Sequence, residues 1–251
     1  MVNHNGHLQF YVSQPSLRAF YQFILLANSL LIFTTAASDL GFGFSKRTVF
    51  LHLDLKLEGN LAVWYSSTLL LLTGLAALAV AASTPLAGKN GKRHGAVWVI
   101  LAAFFISLSA DETAQLHEWA GRSFTTRFGD TPGLTQGAYP VFAWLLALSP
   151  LIICFLIGMK IAIQGLRVHR LSRNLALAGV TCWIGVLLAE FIQAQLVRLS
   201  MQRSLQGVLE EGLEITGTAF FLASFLEYVR YSNRRNAVAT QLVQTETLSR
   251  Y

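Results

Sequence analysis

The chain has 251 residues, of which 53% are hydrophobic, and a mean hydropathy of +0.49. This composition excludes an ordinary soluble domain, because stretches of about twenty nearly uncharged residues are what a bilayer core of roughly 30 Å requires. The net charge of +6 would suit a nucleic-acid partner, but the basic residues are divided among short segments between apolar stretches. That distribution is a topology signal, so no nucleic-acid binding is predicted.

Six apolar stretches are long enough to cross a membrane. Inside lipid every backbone N–H and C=O must be paired within its own segment, so these stretches are predicted to be helices. The sequence predicts an all-α polytopic membrane helix bundle with six transmembrane helices over residues 1–233, followed by a polar, disordered tail over residues 234–251. In chain order the predicted spans are Phe20–Ala37, Leu61–Ala82, Ala96–Trp119, Pro140–Ile163, Asn174–Leu199 and Leu209–Val229.

The Lys and Arg residues predict the orientation of the bundle. Twelve of the 19 lie at the two termini and in the loops at 83–95 and 160–173, which all fall on one side of the predicted bundle. Basic loops stay cytoplasmic, so both termini are predicted to be cytoplasmic. Eleven of the 13 acidic residues lie on or toward the opposite side. Orientation depends little on Asp and Glu, so topology does not require this acidic bias.

The segment at 42–60 joins the first two predicted spans and has a different pattern. From Leu51 to Glu58 apolar and polar residues alternate, which is the period of a half-buried strand. Because no partner strand is evident, the pattern predicts an extended segment on the outer surface, over the acidic residues. An ordinary amphipathic connection is the alternative.

Carboxylates from three spans are predicted to lie at one depth. Asp111, Glu190 and Glu214 are 18, 17 and 16 residues from a basic residue at the cytoplasmic end of their spans. A helix rises 1.5 Å per residue, so these acids lie roughly 27, 26 and 24 Å above that end. Ionisable groups in membrane helices usually face the bundle interior and mark functional sites. The sequence therefore predicts a shared acidic pocket just beneath the non-cytoplasmic surface.

Helical spacing brings further polar side chains to this layer. Asp111, Gln115 and Glu118 fall on one face of a continuous helix. Like charges this close cannot all ionise in a poorly solvated site, so the site holds either protons or a cation. The candidate residues of this metal or proton site are Asp111, Glu112, Gln115, His117, Glu118, Glu190, Gln193, Glu210, Glu211 and Glu214.

Three stretches carry a resemblance to a known kind of protein. They are Asp111-Glu112 followed by His117-Glu118, the opening of the second span over 58–67, and the Glu-rich start of the last span. In these the chain resembles uncharacterised bacterial multi-pass membrane proteins that have a D-E-x4-H-E stretch at the end of an apolar span. The resemblance implies a protein of the bacterial cytoplasmic (inner) membrane and implies no reaction.

The residues leave three functions open. The first is a membrane-embedded metal site, with a divalent cation (Fe, Mn, Mg or Ca), in an enzyme acting on a lipid or lipophilic small molecule. The second is a proton- or cation-coupled transporter or conducting protein, although the cytoplasmic half of the spans looks short of polar groups. The third is a scaffold or assembly factor whose acids bind a partner's basic surface. For the acids, the structural alternative is a wet vestibule or ion pairs with Arg122, Arg198 and Arg203.

Overall fold

The structure is a computed structural model. It describes residues 14–42, 48–83, 88–116, 140–198 and 206–248, together with residues 119, 120, 123, 126 and 127. Six long helices and one short helix make up most of these residues, and they contain no strand. The helices are α1 (Gln14–Asp39), α2 (Thr48–Leu51), α3 (Leu61–Ser83), α4 (Gly88–Ala114), α5 (Pro140–Gly165), α6 (Arg170–Arg198) and α7 (Gln206–Leu248), with a 3-10 turn at Leu166–Val168 between α5 and α6.

The all-α class is confirmed, and five helices have the length and apolar composition of membrane-spanning segments. These segments are Gln14–Asp39, Leu61–Ser83, His94–Ala114, Ser149–Val168 and Arg170–Ala189. The sixth long helix, α7, is not among the five. It carries the carboxylates of Glu210, Glu211, Glu214 and Glu227, which lower its hydropathy. Five of the six predicted spans therefore have a matching helix of the required composition.

Helix α7 nevertheless lies in the core of the bundle. It packs against α1, α3 and α6, and its Phe221 and Phe225 are fully buried. Around these side chains is an aromatic cluster in which neighbouring ring centroids lie 4.3–6.3 Å apart. Aromatic pairs at such separations add about 0.5–1.5 kcal/mol each beyond the burial of area. The cluster consists of Trp98, Phe104, Phe105, Phe155, Trp183, Phe221 and Phe225.

Glycines permit the closest helix pairs. A Cβ at Gly74 of α3 would lie 2.7 Å from Ile106 Cγ1 of α4, and a Cβ at Gly217 of α7 would lie 2.5 Å from Trp183 Cδ1 of α6. Helices in lipid associate mainly through close packing of small residues, because lipid tails are as apolar as the side chains. These two glycines therefore fix the α3–α4 and α6–α7 contacts.

The two ends of the bundle differ in charge. At one, the end of α4 with Asp111 and Glu112 and the start of α7 with Glu210 and Glu211 supply acids, and we call it the acidic end. We call the other end the basic end. It contains the start of α1 with Arg18, the start of α6, and the part of α7 around Arg230. Serine hydrogen bonds join neighbouring helices near both ends. The hydroxyl oxygens of Ser67 and Ser109 lie 3.0 Å apart, and the Ser232 hydroxyl donates to the Ser83 carbonyl at 3.1 Å.

The segment over 48–60 is not extended. It forms α2 and then a series of turns, so the prediction of a strand-like segment was wrong. The alternating apolar side chains are buried by the turns instead. Leu55 is buried against Leu31 of α1, its N–H donates to Thr35 Oγ1 at 2.9 Å, and Thr34 Oγ1 donates to the Leu53 carbonyl at 3.0 Å. The segment thus seals the acidic end of α1 against α3.

The chain past residue 233 differs from the predicted disordered tail. Helix α7 continues to Leu248, and its residues 234–238 are exposed while Ser232 is still buried. A helix that is already nucleated extends at little cost through residues with no Gly or Pro. The change from buried to exposed falls at the predicted boundary, but the division into domain and tail itself remains a prediction.

Candidate functional site

A mostly apolar cavity lies between α4, α5 and α6 near the acidic end. Its volume is about 170 Å³, and α7 contributes one lining residue, Glu214. We call this cavity the Glu214 pocket. Among the described residues that line it, Glu214 is the one ionisable side chain, and most of the others are aliphatic or aromatic. The pocket therefore combines a large apolar wall with one carboxylate.

The Glu214 pocket adjoins the aromatic cluster. Phe104, Phe155 and Trp183 belong to both, so aromatic rings form part of the pocket wall. Trp183 also fixes the turn of α7 that carries the acid, because its Nε1 donates to the Glu214 carbonyl at 3.4 Å. That approach is possible because Gly217 has no side chain.

Helical neighbours of pocket residues supply further acids. Asp111 and Glu112 are half-buried in the last turn of α4, about one turn beyond the pocket residue Leu108. Glu210 and Glu211 are half-buried in the first turns of α7, about one turn before Glu214. Five of the ten predicted site residues thus lie within about a turn of a pocket-lining residue along two helices.

The other predicted site residues are less well placed. His117 and Glu118 lie outside the described residues, and Glu190 and Gln193 lie on α6 at positions whose side chains are not described. The meeting of Asp111, Glu190 and Glu214 in one pocket therefore remains a prediction.

Gln115 breaks the helical face that was predicted for the end of the third span. Helix α4 ends at Ala114, and Gln115 has φ +54°, in the left-handed region. Its N–H donates to the Asp111 carbonyl at 2.7 Å, which closes the last turn. The expectation that Asp111, Gln115 and Glu118 follow one continuous helix is therefore wrong. A left-handed conformation costs a non-glycine residue about 1–2 kcal/mol, and such strain is concentrated at functional sites.

The metal hypothesis gains no support from the described acids. Within the parts of the chain that the structure describes, no three His, Cys, Asp or Glu side chains are grouped so that they could hold a metal ion. Carboxylate-rich metal sites need several such ligands together. A metal site here would require side chains from the undescribed positions.

A polar cluster at the basic end was not predicted from the sequence. Glu227 of α7 is 7% exposed, and its Oε2 accepts two hydrogen bonds from the Arg230 guanidinium at 2.7 and 2.9 Å. The Tyr21 hydroxyl of α1 donates to Glu227 Oε1 at 3.4 Å. The i, i+3 spacing of Glu227 and Arg230 on an apolar helix was the available signal.

Beside this cluster lies His169, in the turn between α5 and α6. Its ring stacks on Tyr231 with centroids 4.9 Å apart, and its Nδ1 is 2.8 Å from the Ser172 hydroxyl. Burial lowers the pKa of His169, while the nearby Glu227 acts in the opposite direction.

Polar groups also follow the α1–α7 interface toward the centre: Asn28 is buried, donates to the Ile215 carbonyl at 3.3 Å and accepts from the Tyr65 hydroxyl at 2.6 Å. The cytoplasmic half was expected to be short of polar groups, and Tyr21, Glu227 and Arg230 place a polar cluster at its basic end.

Comparison with known proteins identifies the family. The model of a domain of unknown function, DUF8692, matches residues 23–228. The chain belongs to the DUF8692 family. The match runs from α1 into α7, so the Glu214 pocket lies inside the DUF8692 domain, and of the polar cluster at the basic end Glu227 lies inside it. No curated protein and no solved structure matches the chain. The match is consistent with the resemblance to an uncharacterised family, and the DUF8692 assignment supplies no reaction.

Proposed function

We propose that this DUF8692 protein binds a lipophilic molecule in the Glu214 pocket and that Glu214 anchors a cationic or hydrogen-bond-donating group of that molecule. The observation that carries the proposal is the single ionisable side chain among the described lining of an otherwise largely apolar cavity. A carboxylate in such a wall accepts hydrogen bonds from a donor on a ligand or forms an ion pair with a cationic group. Ligand sites commonly combine an apolar wall with a few such polar groups.

The size of the pocket limits what it can hold. A cavity of about 150 Å³ in another protein accepts benzene, so 170 Å³ accommodates a ring or a short stretch of hydrocarbon. A longer ligand must extend beyond the cavity. The lining residues Leu156 and Ile184 offer a way out, because they are 47% and 48% exposed on the outer surface of α5 and α6. We infer that the ligand enters sideways from the lipid between these two helices.

The proposal includes the placement of the protein. We propose six spans, with α7 as the sixth, and a basic end that faces the cytoplasm of a bacterium as the positive-inside rule expects. The burial of Phe221 and Phe225 at the centre of the bundle supports α7 as a span. The Glu214 pocket then lies in the outer half of the cytoplasmic membrane. If the protein carries out a metal-dependent reaction on the bound molecule, His117, Glu118 and Glu190 would be the metal ligands. Elemental analysis of the purified protein tests whether a metal is bound.

A pair of probes tests the proposal. Dodecylamine and dodecanol have the same chain, but the amine carries a positive charge at pH 7. We expect purified protein in nanodiscs to bind dodecylamine more tightly, with a change in the fluorescence of Trp183 that Trp183→Phe removes. Glu214→Gln should abolish the preference, with a loss of about tenfold or more in amine affinity.

Matched controls isolate the role of the carboxylate. Glu210→Gln changes the same group one turn away, outside the lining of the pocket, and should keep the preference. Thermal unfolding of both variants confirms that they fold. Equal binding of the two probes by the wild type, or a preference that survives Glu214→Gln, would refute the proposal.

Proton-coupled transport is the second candidate. The observation in its favour is the polar cluster at the basic end, in which Tyr21 and Arg230 hydrogen-bond to the buried Glu227. Buried carboxylates of this kind mark proton relays in membrane proteins. Against it, none of Tyr21, Glu227 and Arg230 is among the described residues that line the Glu214 pocket. Proton flux into proteoliposomes that is lost in Glu227→Gln would favour transport, and absence of flux in the wild type would exclude it.

A further inference from the structure

A second cavity runs along α1 and shares no lining residue with the Glu214 pocket. It is a groove of about 460 Å³ with α1 on one side, α6 on the other and α7 as its floor. We call it the α1–α6 groove. Helix α1 packs on α7, and Leu171 and Leu175 of α6 form the opposite wall. The groove is open along its length, so the surrounding bilayer is the nearest source of an occupant.

The length of the α1–α6 groove matches a hydrocarbon chain better than a compact ligand. Its lining on α1 extends from Gln14 to Ile32, which is 18 residues or about 27 Å of helix. One leaflet accounts for only about 15 Å of the bilayer core. The middle of the groove is apolar, with Ile24 and Leu25 on α1 and Phe220 on α7. An extended acyl chain would bury these side chains from end to end.

The polar end of the groove lies at the basic end of the bundle and carries a net positive charge. The Glu227 carboxylate lines the groove there, but Arg230 and Tyr21 already hold it. Arg18 lines the same end, is exposed, and has no ion-pair partner among the described residues. Arg18, Arg230 and Glu227 together carry one net positive charge at this end. A free guanidinium at the mouth of an apolar groove recognises phosphate through charge-assisted, bidentate hydrogen bonds.

We propose that the α1–α6 groove binds an anionic phospholipid from the leaflet at the basic end. The phosphate lies at Arg18, and one acyl chain lies between α1 and α6 on the floor formed by α7. This site is separate from the Glu214 pocket, so it holds whether or not that pocket binds a ligand.

Photo-crosslinking in nanodiscs tests the site. The full chain is placed in phosphatidylcholine nanodiscs containing a trace of phosphatidylglycerol with a diazirine in its acyl chain, or the same trace of diazirine-labelled phosphatidylcholine. We expect at least fivefold more labelling by phosphatidylglycerol, mapped by mass spectrometry to groove residues such as Leu25 and Phe220. Arg18→Gln should reduce labelling by phosphatidylglycerol to the level of phosphatidylcholine, while Arg167→Gln, an exposed arginine outside the groove, should not.

Two blocking variants separate the groove from the annular lipid. Ala223→Phe fills the groove from its floor and Ser29→Phe fills it from α1, so each should reduce labelling of the groove residues by phosphatidylglycerol at least fivefold. Leu26→Phe, on the 70% exposed face of α1 outside the groove, should leave labelling unchanged. Two blocking positions keep the test valid if one variant fails to fold. Equal labelling by the two lipids in the wild type, or labelling spread evenly over all helices, would overturn the proposal.

Discussion

Adding one methyl group at Gly217 is the sharpest test of how the Glu214 pocket is held together. In Gly217→Ala the new Cβ would lie 2.5 Å from Trp183 Cδ1, 2.9 Å from Cys182 Cβ and 3.0 Å from Trp183 Nε1. Real Cβ atoms do not approach other heavy atoms this closely, so the indole must move away or the two helices must separate. Either change removes the hydrogen bond from Trp183 Nε1 to the Glu214 carbonyl.

The magnitude follows from two contributions. Overpacking a tight interface costs about 1–3 kcal/mol, and loss of the hydrogen bond adds about 0.5–1.5 kcal/mol. We therefore expect Gly217→Ala to destabilise the protein by about 2–4 kcal/mol, which lowers the Tm of a chain this size by roughly 5–15 °C. The assay is thermal unfolding in detergent followed by a thiol-reactive dye, since Cys182 lies at the same interface.

Two further variants make the expectation specific. Gly158→Ala is the comparison variant: its Cβ would lie 3.2 Å from the Cδ2 atom at the end of the Leu101 side chain, which must shift by only a few tenths of an ångström, and alanine favours helix, so Tm should fall less than in Gly217→Ala. Trp183→Leu removes the clashing ring, so the double variant with Gly217→Ala should cost less than the sum of the single changes. A wild-type Tm in Gly217→Ala, or strictly additive effects in the double variant, would refute the packing argument.

Three other changes test individual features. Gln115→Gly should stabilise the protein by about 0.5–1 kcal/mol in thermal unfolding, because glycine adopts φ +54° without strain; a lower Tm would contradict that backbone conformation. Lys56→Met should cost about 1–3 kcal/mol, because it leaves the Asp39 carboxylate, whose side chain is 8% exposed, without its cation; Asp39→Asn in the same background should recover part of the loss. Burial lowers the pKa of His169 in the folded protein, so the unfolded chain binds the proton more readily. The free energy of unfolding should therefore rise as pH increases to about 6.5 and then level off. His169→Gln should lose this component of the dependence of Tm on pH between pH 5 and 8.

The helical class was predictable because length and hydropathy are local properties of the sequence. An apolar run such as Leu61–Ser83 has no alternative to a helix in lipid. Helix α7 shows the limit of this reasoning: Glu214 and Glu227 lower its hydropathy, yet its Phe221 and Phe225 form the centre of the core. What a membrane helix touches depends on its neighbours, and hydropathy carries no information on them.

The site was predictable only in part, for the same reason. Counting residues predicts Asp111 and Glu214 at one depth, and in the structure Asp111 lies about one turn beyond Leu108, which lines the same pocket as Glu214. It could not predict that Gln115 ends α4, because glutamine gives none of the usual signals of a helix terminus. It also missed the burial of Glu227, since the partner that completes the cluster, Tyr21, lies 206 residues away in the chain. Long-range pairs of this kind are set by helix packing, which a single sequence does not specify.

The relation between the Glu214 pocket and the α1–α6 groove distinguishes a binding protein from a transporter. The two cavities share no lining residue. Sites that do not share partners or a bistable element contribute independently. We therefore expect Arg18→Gln to leave the dodecylamine affinity within about twofold of wild type, and Glu214→Gln to leave phosphatidylglycerol labelling unchanged. Alternating access would couple the two ends, so a change of tenfold in either cross-measurement, about 1.4 kcal/mol of coupling, would favour the transporter and count against two independent binding sites.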